Sequence, residues 1–246
     1  MNKIYEKNRV TFAIICIVIY VVGTSLAEAM AESLGIVKLP SMIFHLIYTA
    51  AIFLWLKRNR LFEKYGLKKP EYPLSKAWFF IPLILIGFSS IYFGLTLKYS
   101  VPETAFYMIS MICVGFLEEI IFRGFLFLGM AEKNIKSAIL VSSVTFGIGH
   151  IVNLLNGKPV LETLLQIVFA TAVGFVLVML FHKGKSLIPC IVFHSINNSL
   201  SAISNDEASL RFFGSVEKEL YISVGFSLVI CLLYLAALLH NFKSEE

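Results

Sequence analysis

Three short runs carry side chains able to move protons: Glu118, Glu119 and Arg123 in EEIIFR, Phe146 and His150 in FGIGH, and His194, Asn197 and Asn198 in FHSINNS. Each run sits inside an apolar stretch, where ionisable groups are costly and usually face a bundle interior or a water-filled cavity. On a helix, residues four apart are neighbours, while adjacent residues diverge by about 100°. Glu119 and Arg123 therefore pair along one face, and Glu118 points elsewhere. His194 and Asn198 share a stripe that Asn197 leaves. Phe146 and His150 share another, and Gly147 with Gly149 allow a helix or a substrate backbone to approach the imidazole closely.

Two adjacent carboxylates in a low dielectric repel, and one must hold a proton unless a cation compensates. Arg123 is that cation, which assigns Glu119 to a supporting ion pair and leaves Glu118 for general-base work. With His150, Glu118 could hold and deprotonate a water. His194 and Asn198 could donate to the oxyanion of a tetrahedral intermediate. Such a set hydrolyses acyl bonds, peptide bonds foremost.

The elements that must position these groups follow from composition. Of 246 residues, 58% are hydrophobic and 15% charged, against the roughly 25% charged of soluble domains, and the mean hydropathy is +0.81. An all-α, polytopic membrane protein with a polar intramembrane cavity is expected, as one integral domain over residues 1–246. Eight apolar blocks can be drawn, at 10–27, 39–56, 77–97, 103–130, 136–155, 160–181, 186–203 and 219–239, predicting about eight transmembrane helices. A rise of about 1.5 Å per residue from the ends sharing one side puts Glu118 and Asn198 roughly 18 Å deep, His150 roughly 21 Å and His194 roughly 12 Å. Three separate helices thus bring their polar groups to one level.

Lys and Arg alternate along the connections. One side carries Lys3, Lys7, Arg9, Lys57, Arg58, Arg60, Lys64, Lys68, Lys69, Lys76, Lys133, Lys136, Lys183, Lys185 and Lys243; the other carries only Lys38, Lys98, Lys158, Arg211 and Lys218. The richer side is expected to be cytoplasmic, with both termini on it, in a cell membrane. The net charge of +5 is thereby topogenic, and no nucleic-acid partner is expected. The basic N-terminus before an apolar run ending in Ser25-Leu26-Ala27 has a signal-peptide look, but the run exceeds the usual h-region of about 7–15 residues. The four cysteines all fall in apolar blocks without C-x-x-C spacing and read as small buried hydrophobes. His45, at mid-depth in the second block, matches no motif and is a candidate for lining the cavity. The external segment 204–218, with Leu210, Phe212 and Phe213, is expected near the membrane interface.

The three runs, E-E-x-x-x-R, F-x-x-x-H and H-x-x-x-N in that order, resemble the signature of the CPBP family of intramembrane proteases, which includes type 2 CAAX prenyl endopeptidases and lysostaphin-resistance and bacteriocin-immunity proteins. The resemblance covers residues 103–204 as a catalytic core. It implies an eight-helix fold opening toward the cytosolic side, and a glutamate-dependent endopeptidase without covalent intermediate acting on a membrane-associated or prenylated (CAAX-like) peptide. Glu118 and His150 would activate the water, His194 and Asn198 would form the oxyanion hole, and Glu119 and Arg123 would support them. Members are often labelled metalloproteases, which makes zinc on Glu118, His150 and His194 the alternative to a reading with no cofactor. There is no H-E-x-x-H run, and zinc would require those three to converge.

Two non-enzymatic classes compete. Intramembrane carboxylates and histidines also suit proton-coupled transport, against which stand the missing repeated halves and matched broken helices. A catalytically idle immunity protein that binds a peptide partner in the bilayer is the other.

Overall fold

The computed structural model describes residues 1–71 and 80–241. Lys76, Lys243 and the start of the third apolar block lie outside the described residues. In chain order the helices are α1 (Asn2–Lys7), α2 (Arg9–Leu34), α3 (Leu39–Arg58), α4 (Ile81–Gly87), α5 (Val101–Glu118), α6 (Leu128–Ala131), α7 (Ile135–Gly149), α8 (Val160–Gly184), α9 (Ile188–Leu200), α10 (Asp206–Phe213) and α11 (Val216–Asn241). A π-helical stretch, Glu119–Phe127, joins α5 to α6 without a break. The protein is an all-α, multi-pass membrane protein.

Local signals start and stop these helices. The Asn8 side chain accepts from the Thr11 amide to cap α2, and Gly35 ends it in the left-handed region at φ 66°, where a Cβ is unfavourable. Ser100 and Glu103 form a capping box at α5. Asn134 caps α7 through the Ser137 amide.

Among the described residues six helices are long and apolar enough to cross a membrane, at Arg9–Leu34, Leu39–Arg58, Val101–Ala131, Ile135–Leu154, Val160–Gly184 and Val216–His240. The other two expected crossings are short. The described part of the third block is α4 and a 3₁₀ turn at Ser89–Ile91, and the seventh block is α9 of 13 residues, about 20 Å of helix against a hydrocarbon core of about 30 Å. Protein walls allow this shortening, because irregular backbone is tolerated at membrane depth where neighbours cover it. The Leu187 amide, before α9, donates to Gly66 O at 2.8 Å, while Ile203 O, after it, accepts from the Thr96 amide at 2.9 Å.

The basic connections meet at one end of the bundle. Lys64 bonds the Tyr5 hydroxyl at 2.8 Å, Asn2 bonds Asn59 at 3.1 Å, Arg9 pairs with Glu132, and Ser186 donates to Lys68 O at 2.5 Å. The sparsely basic connections meet at the other end, where Lys38 pairs with Glu28 at 2.6 Å, the Val37 amide bonds Glu103 at 3.1 Å and Lys98 pairs with Asp206 at 2.7 Å. The charge alternation read along the chain is thus a spatial segregation.

Small residues bring the site-bearing helices together. Against Gly115 of α5, a Cβ would meet the Ser195 amide of α9 at 2.7 Å, and against Gly147 of α7 it would meet Ile167 O of α8 at 2.9 Å. Ser195 and Ser199 of α9 donate to the Ile112 and Met108 carbonyls of α5. Such contacts are the means by which helices associate in lipid, where the hydrophobic effect offers little. All four cysteines are buried and unpaired. Segment 204–218 contains α10, whose Phe212 is exposed and packs with Phe213 and Phe93.

Candidate active site

Glu118 ends α5, and Glu119 begins the π-helical stretch that follows. π-Helical turns within α-helices are frequent at functional sites, and here the changed winding is anchored by Ser142 of α7, whose hydroxyl donates to Phe122 O at 2.9 Å. The stretch is buried along its whole length. It divides the two carboxylates: Glu119 is sealed at 0% exposure, and Glu118 at 7% borders a cavity.

The buried pair expected from the spacing is present. Arg123 Nη1 donates to Glu119 Oε1 at 3.0 Å with both side chains fully buried. The guanidinium also lies over the Phe146 ring, Cζ 4.0 Å from its centroid, a cation–π contact that steadies the charge.

His194 of α9 links both glutamates. Its Nδ1 is 2.8 Å from Glu119 Oε1 and its Nε2 is 3.3 Å from Glu118 Oε2. The second approach lacks hydrogen-bond angles, and Glu118 Oε2 accepts no hydrogen bond among the described residues. A neutral imidazole has one N–H and one acceptor nitrogen. The row Glu118, His194, Glu119 is thus joined by a hydrogen bond at Nδ1 and by proximity alone at Nε2.

Phe146 is the hub that the F-x-x-x-H run supplies. His150 meets it edge-to-face at 5.6 Å and His194 at 5.7 Å, with Phe122 at 5.4 Å. His150 itself stands where α7 gives way to a 3₁₀ turn, His150–Leu154, so its ring projects from a helix end.

A cavity of about 670 Å³ borders Glu118, His150 and Asn198 together. The expected convergence of three helices around one polar pocket is therefore present. Asn197 also lines it, although spacing had set it off the stripe, and its amide donates to Asn198 Oδ1 at 3.2 Å. His194 and Glu119 stand behind Glu118 and do not line the cavity. Gly149 lines it with open space where a Cβ would point, whereas Gly147 serves the contact with α8.

Tyr20 of α2 was missed by sequence reasoning. Its hydroxyl donates to Glu118 Oε1 at 2.5 Å, within the range of strong O–H···O⁻ bonds. The available signal was a polar stripe, Tyr20, Thr24 and Glu28 at intervals of four along α2; all three line the cavity. His45 is fully buried and lines it as well, between Thr24 at 3.0 Å and Ser110 at 2.8 Å.

From Glu118 the cavity runs toward the sparsely basic end, past Thr24, Glu28 and Lys38 and out to Asn156 and Lys158, which are exposed. Toward the basic end an aromatic plug closes the bundle: Phe125 is edge-on to Phe12 at 5.1 Å and to Tyr65 at 5.0 Å, and Trp55 packs on Phe12 at 4.9 Å. Within the plug, in the connection after α3, burial and a hydrogen bond to Tyr5 push the Tyr65 phenol above its ordinary titration range, so it stays neutral.

Among the described residues no three His, Cys, Asp or Glu side chains are arranged to hold a metal ion. Nδ1 of His194 is taken by Glu119, while Nε2 stands beside Glu118 Oε2 without a hydrogen bond between them.

In comparison with known families, residues 99–200 match the family model described as type II CAAX prenyl endopeptidase, Rce1-like. The matched stretch, under half the chain, contains Glu118, Glu119, Arg123, His150, His194 and Asn198 and agrees with the resemblance carried by the three motifs. At the level of the family it supports a CAAX-type intramembrane protease. Tyr20 and His45 lie outside it. No curated protein matches the chain.

Proposed function

We propose that this chain, whose residues 99–200 are of the CAAX endopeptidase type, is an intramembrane endopeptidase that cleaves a membrane-associated peptide with a water activated by Glu118. The observation that carries the reading is the setting of Glu118: a buried carboxylate, one oxygen fixed by Tyr20 and the other beside His194, facing a polar cavity that it shares with His150 and Asn198.

The chemistry follows from those positions. Glu118 Oε2 takes a proton from a water as the water oxygen bonds to the scissile carbonyl carbon. The carbonyl oxygen becomes an oxyanion, to which the Asn198 amide and the His150 ring N–H donate across the cavity. As the C–N bond breaks, the proton returns from Glu118 to the leaving nitrogen, giving a carboxylic acid and an amine that part as carboxylate and ammonium, with no covalent enzyme intermediate. His194 holds Glu118 against Glu119 and the paired Arg123, so it positions the base rather than binding the oxyanion. Fixed donors need no rearrangement when charge develops, which is the source of their effect.

A metal-free mechanism is part of the proposal, supported by the lack, among the described residues, of three His, Cys, Asp or Glu side chains grouped to hold a metal ion. The site forms where cavity and catalytic carboxylate coincide, which favours hydrolysis over passive binding.

The decisive experiment compares membrane peptides by mass spectrometry in cells carrying the native chain and Glu118→Gln, which keeps shape and removes the base. A peptide that accumulates uncut in the variant, with normal insertion of the protein, is the expected result and names the substrate. Unchanged processing or an intact immunity phenotype would remove hydrolysis by Glu118 from consideration.

A further inference from the structure

Resting on the protease reading, we propose that the substrate reaches Glu118 from the extracytoplasmic face, as a short segment of peptide chain presented outside the membrane. This departs from the cytosolic opening that the family resemblance implied. Two independent features of the molecule combine to give it.

The first is the direction of the cavity. Its exposed lining residues, Asn156 and Lys158, belong to the connection between α7 and α8. Lys38, in the connection between α2 and α3, stands at the same mouth, paired with Glu28 at 2.6 Å. In the opposite direction the path is closed by the buried stretch Glu119–Phe127 and by the packing of Phe12, Trp55, Tyr65 and Phe125. A substrate coming from the basic end would have to displace that aromatic cluster.

The second is the segregation of basic residues. The closed end gathers the connections rich in Lys and Arg, and the open end has the sparse ones. Short connections with excess Lys and Arg stay in the cytoplasm. The mouth therefore faces outward.

The cavity also limits what enters. At about 670 Å³ it is in the range of roughly 300–1,000 Å³ typical of pockets that bury a small ligand, so it takes a few residues in extended form and excludes a folded domain. Its rim carries both charge signs, in Lys38 with Glu28 and in Lys158 with Glu162 at 3.0 Å. Opposed charges of this kind suit a dipolar peptide backbone more than a uniformly charged tail. The substrate class is thus an exported or outward-facing juxtamembrane peptide, and a cytosolic C-terminal tail is disfavoured.

The test is the sidedness of thiol labelling in intact cells expressing the full chain. The four native cysteines are buried, so the parent protein serves as background. Asn156→Cys and Lys158→Cys report on the mouth, and Arg58→Cys, at the exposed last residue of α3, reports on the basic end. A membrane-impermeant maleimide should label the first two in intact cells and the third only after permeabilisation. Labelling of Asn156→Cys and Lys158→Cys only after permeabilisation, or in neither condition, would overturn the proposal. The readout needs no cleavage, so a failure of hydrolysis in the Glu118→Gln comparison and a failure of sidedness are separate results.

Discussion

The hydroxyl of Tyr20 donates to Glu118 Oε1 at 2.5 Å across 98 residues of sequence. The first long helix thereby reaches a catalytic carboxylate whose partners His150, His194 and Asn198 come from the segment between α5 and the end of α9. A carboxylate held by one strong donor has its second oxygen directed, and here that oxygen is Oε2, beside His194.

Tyr20→Phe keeps the ring packing and deletes the donor. A hydrogen bond to a charged group is worth about 1.5–3 kcal/mol, so kcat should fall roughly ten- to a hundredfold with KM little changed. Cleavage kinetics on the peptide identified with Glu118→Gln would check this. An unaltered kcat would show that Tyr20 only packs.

Asn198→Ala removes one of the two donors assigned to the oxyanion and should lower kcat by roughly 10²–10³ while the protein unfolds at the same temperature. A change confined to KM would move Asn198 to substrate binding.

Arg123→Met leaves Glu119 buried and without its cation. Breaking a buried pair from one side costs about 3–5 kcal/mol, so the unfolding temperature in detergent should drop sharply. The double variant Glu119→Gln with Arg123→Met should recover much of the loss, because no unpaired charge remains. A single variant as stable as the native chain would contradict the structural role of the pair.

Gly115→Ala sets a methyl against the backbone of Ser195, with the amide nitrogen at 2.7 Å. Overpacking of this kind costs about 1–3 kcal/mol and pushes α9, with His194, away from Glu118. Both stability and cleavage should fall. Gly149→Ala, with nothing within 4 Å of its Cβ, should leave stability unchanged in the same melt.

Dialysis of the purified protein against a strong chelator should leave cleavage intact. Loss of activity that zinc restores would reassign Glu118, His150 and His194 as metal ligands.

Much of this was legible in the chain. Charge against hydropathy is enough for an all-α membrane bundle, because in lipid a backbone must satisfy its own hydrogen bonds and long apolar runs have no alternative to helix. Helical spacing is local geometry, so the Glu119–Arg123 pair and the separation of Glu118 from it could be read from the six residues of EEIIFR. Alternating Lys and Arg likewise foretold which connections meet at each end.

Other features depend on neighbours that spacing does not reveal. Asn197 joins the cavity because α9 is short and wedged against α5, while His194, on the expected stripe, is drawn behind Glu118 by the two carboxylates it touches. Tyr20 and His45 become site residues only through the packing of α2 and α3 on α5. The mouth of the cavity, too, was settled by tertiary structure: a plug of Phe12, Trp55, Tyr65 and Phe125, drawn from three distant segments, blocks one end. Periodicity encodes which way a side chain leaves its own helix, but what it meets there is a property of long-range contacts, and those decide which polar groups share one pocket.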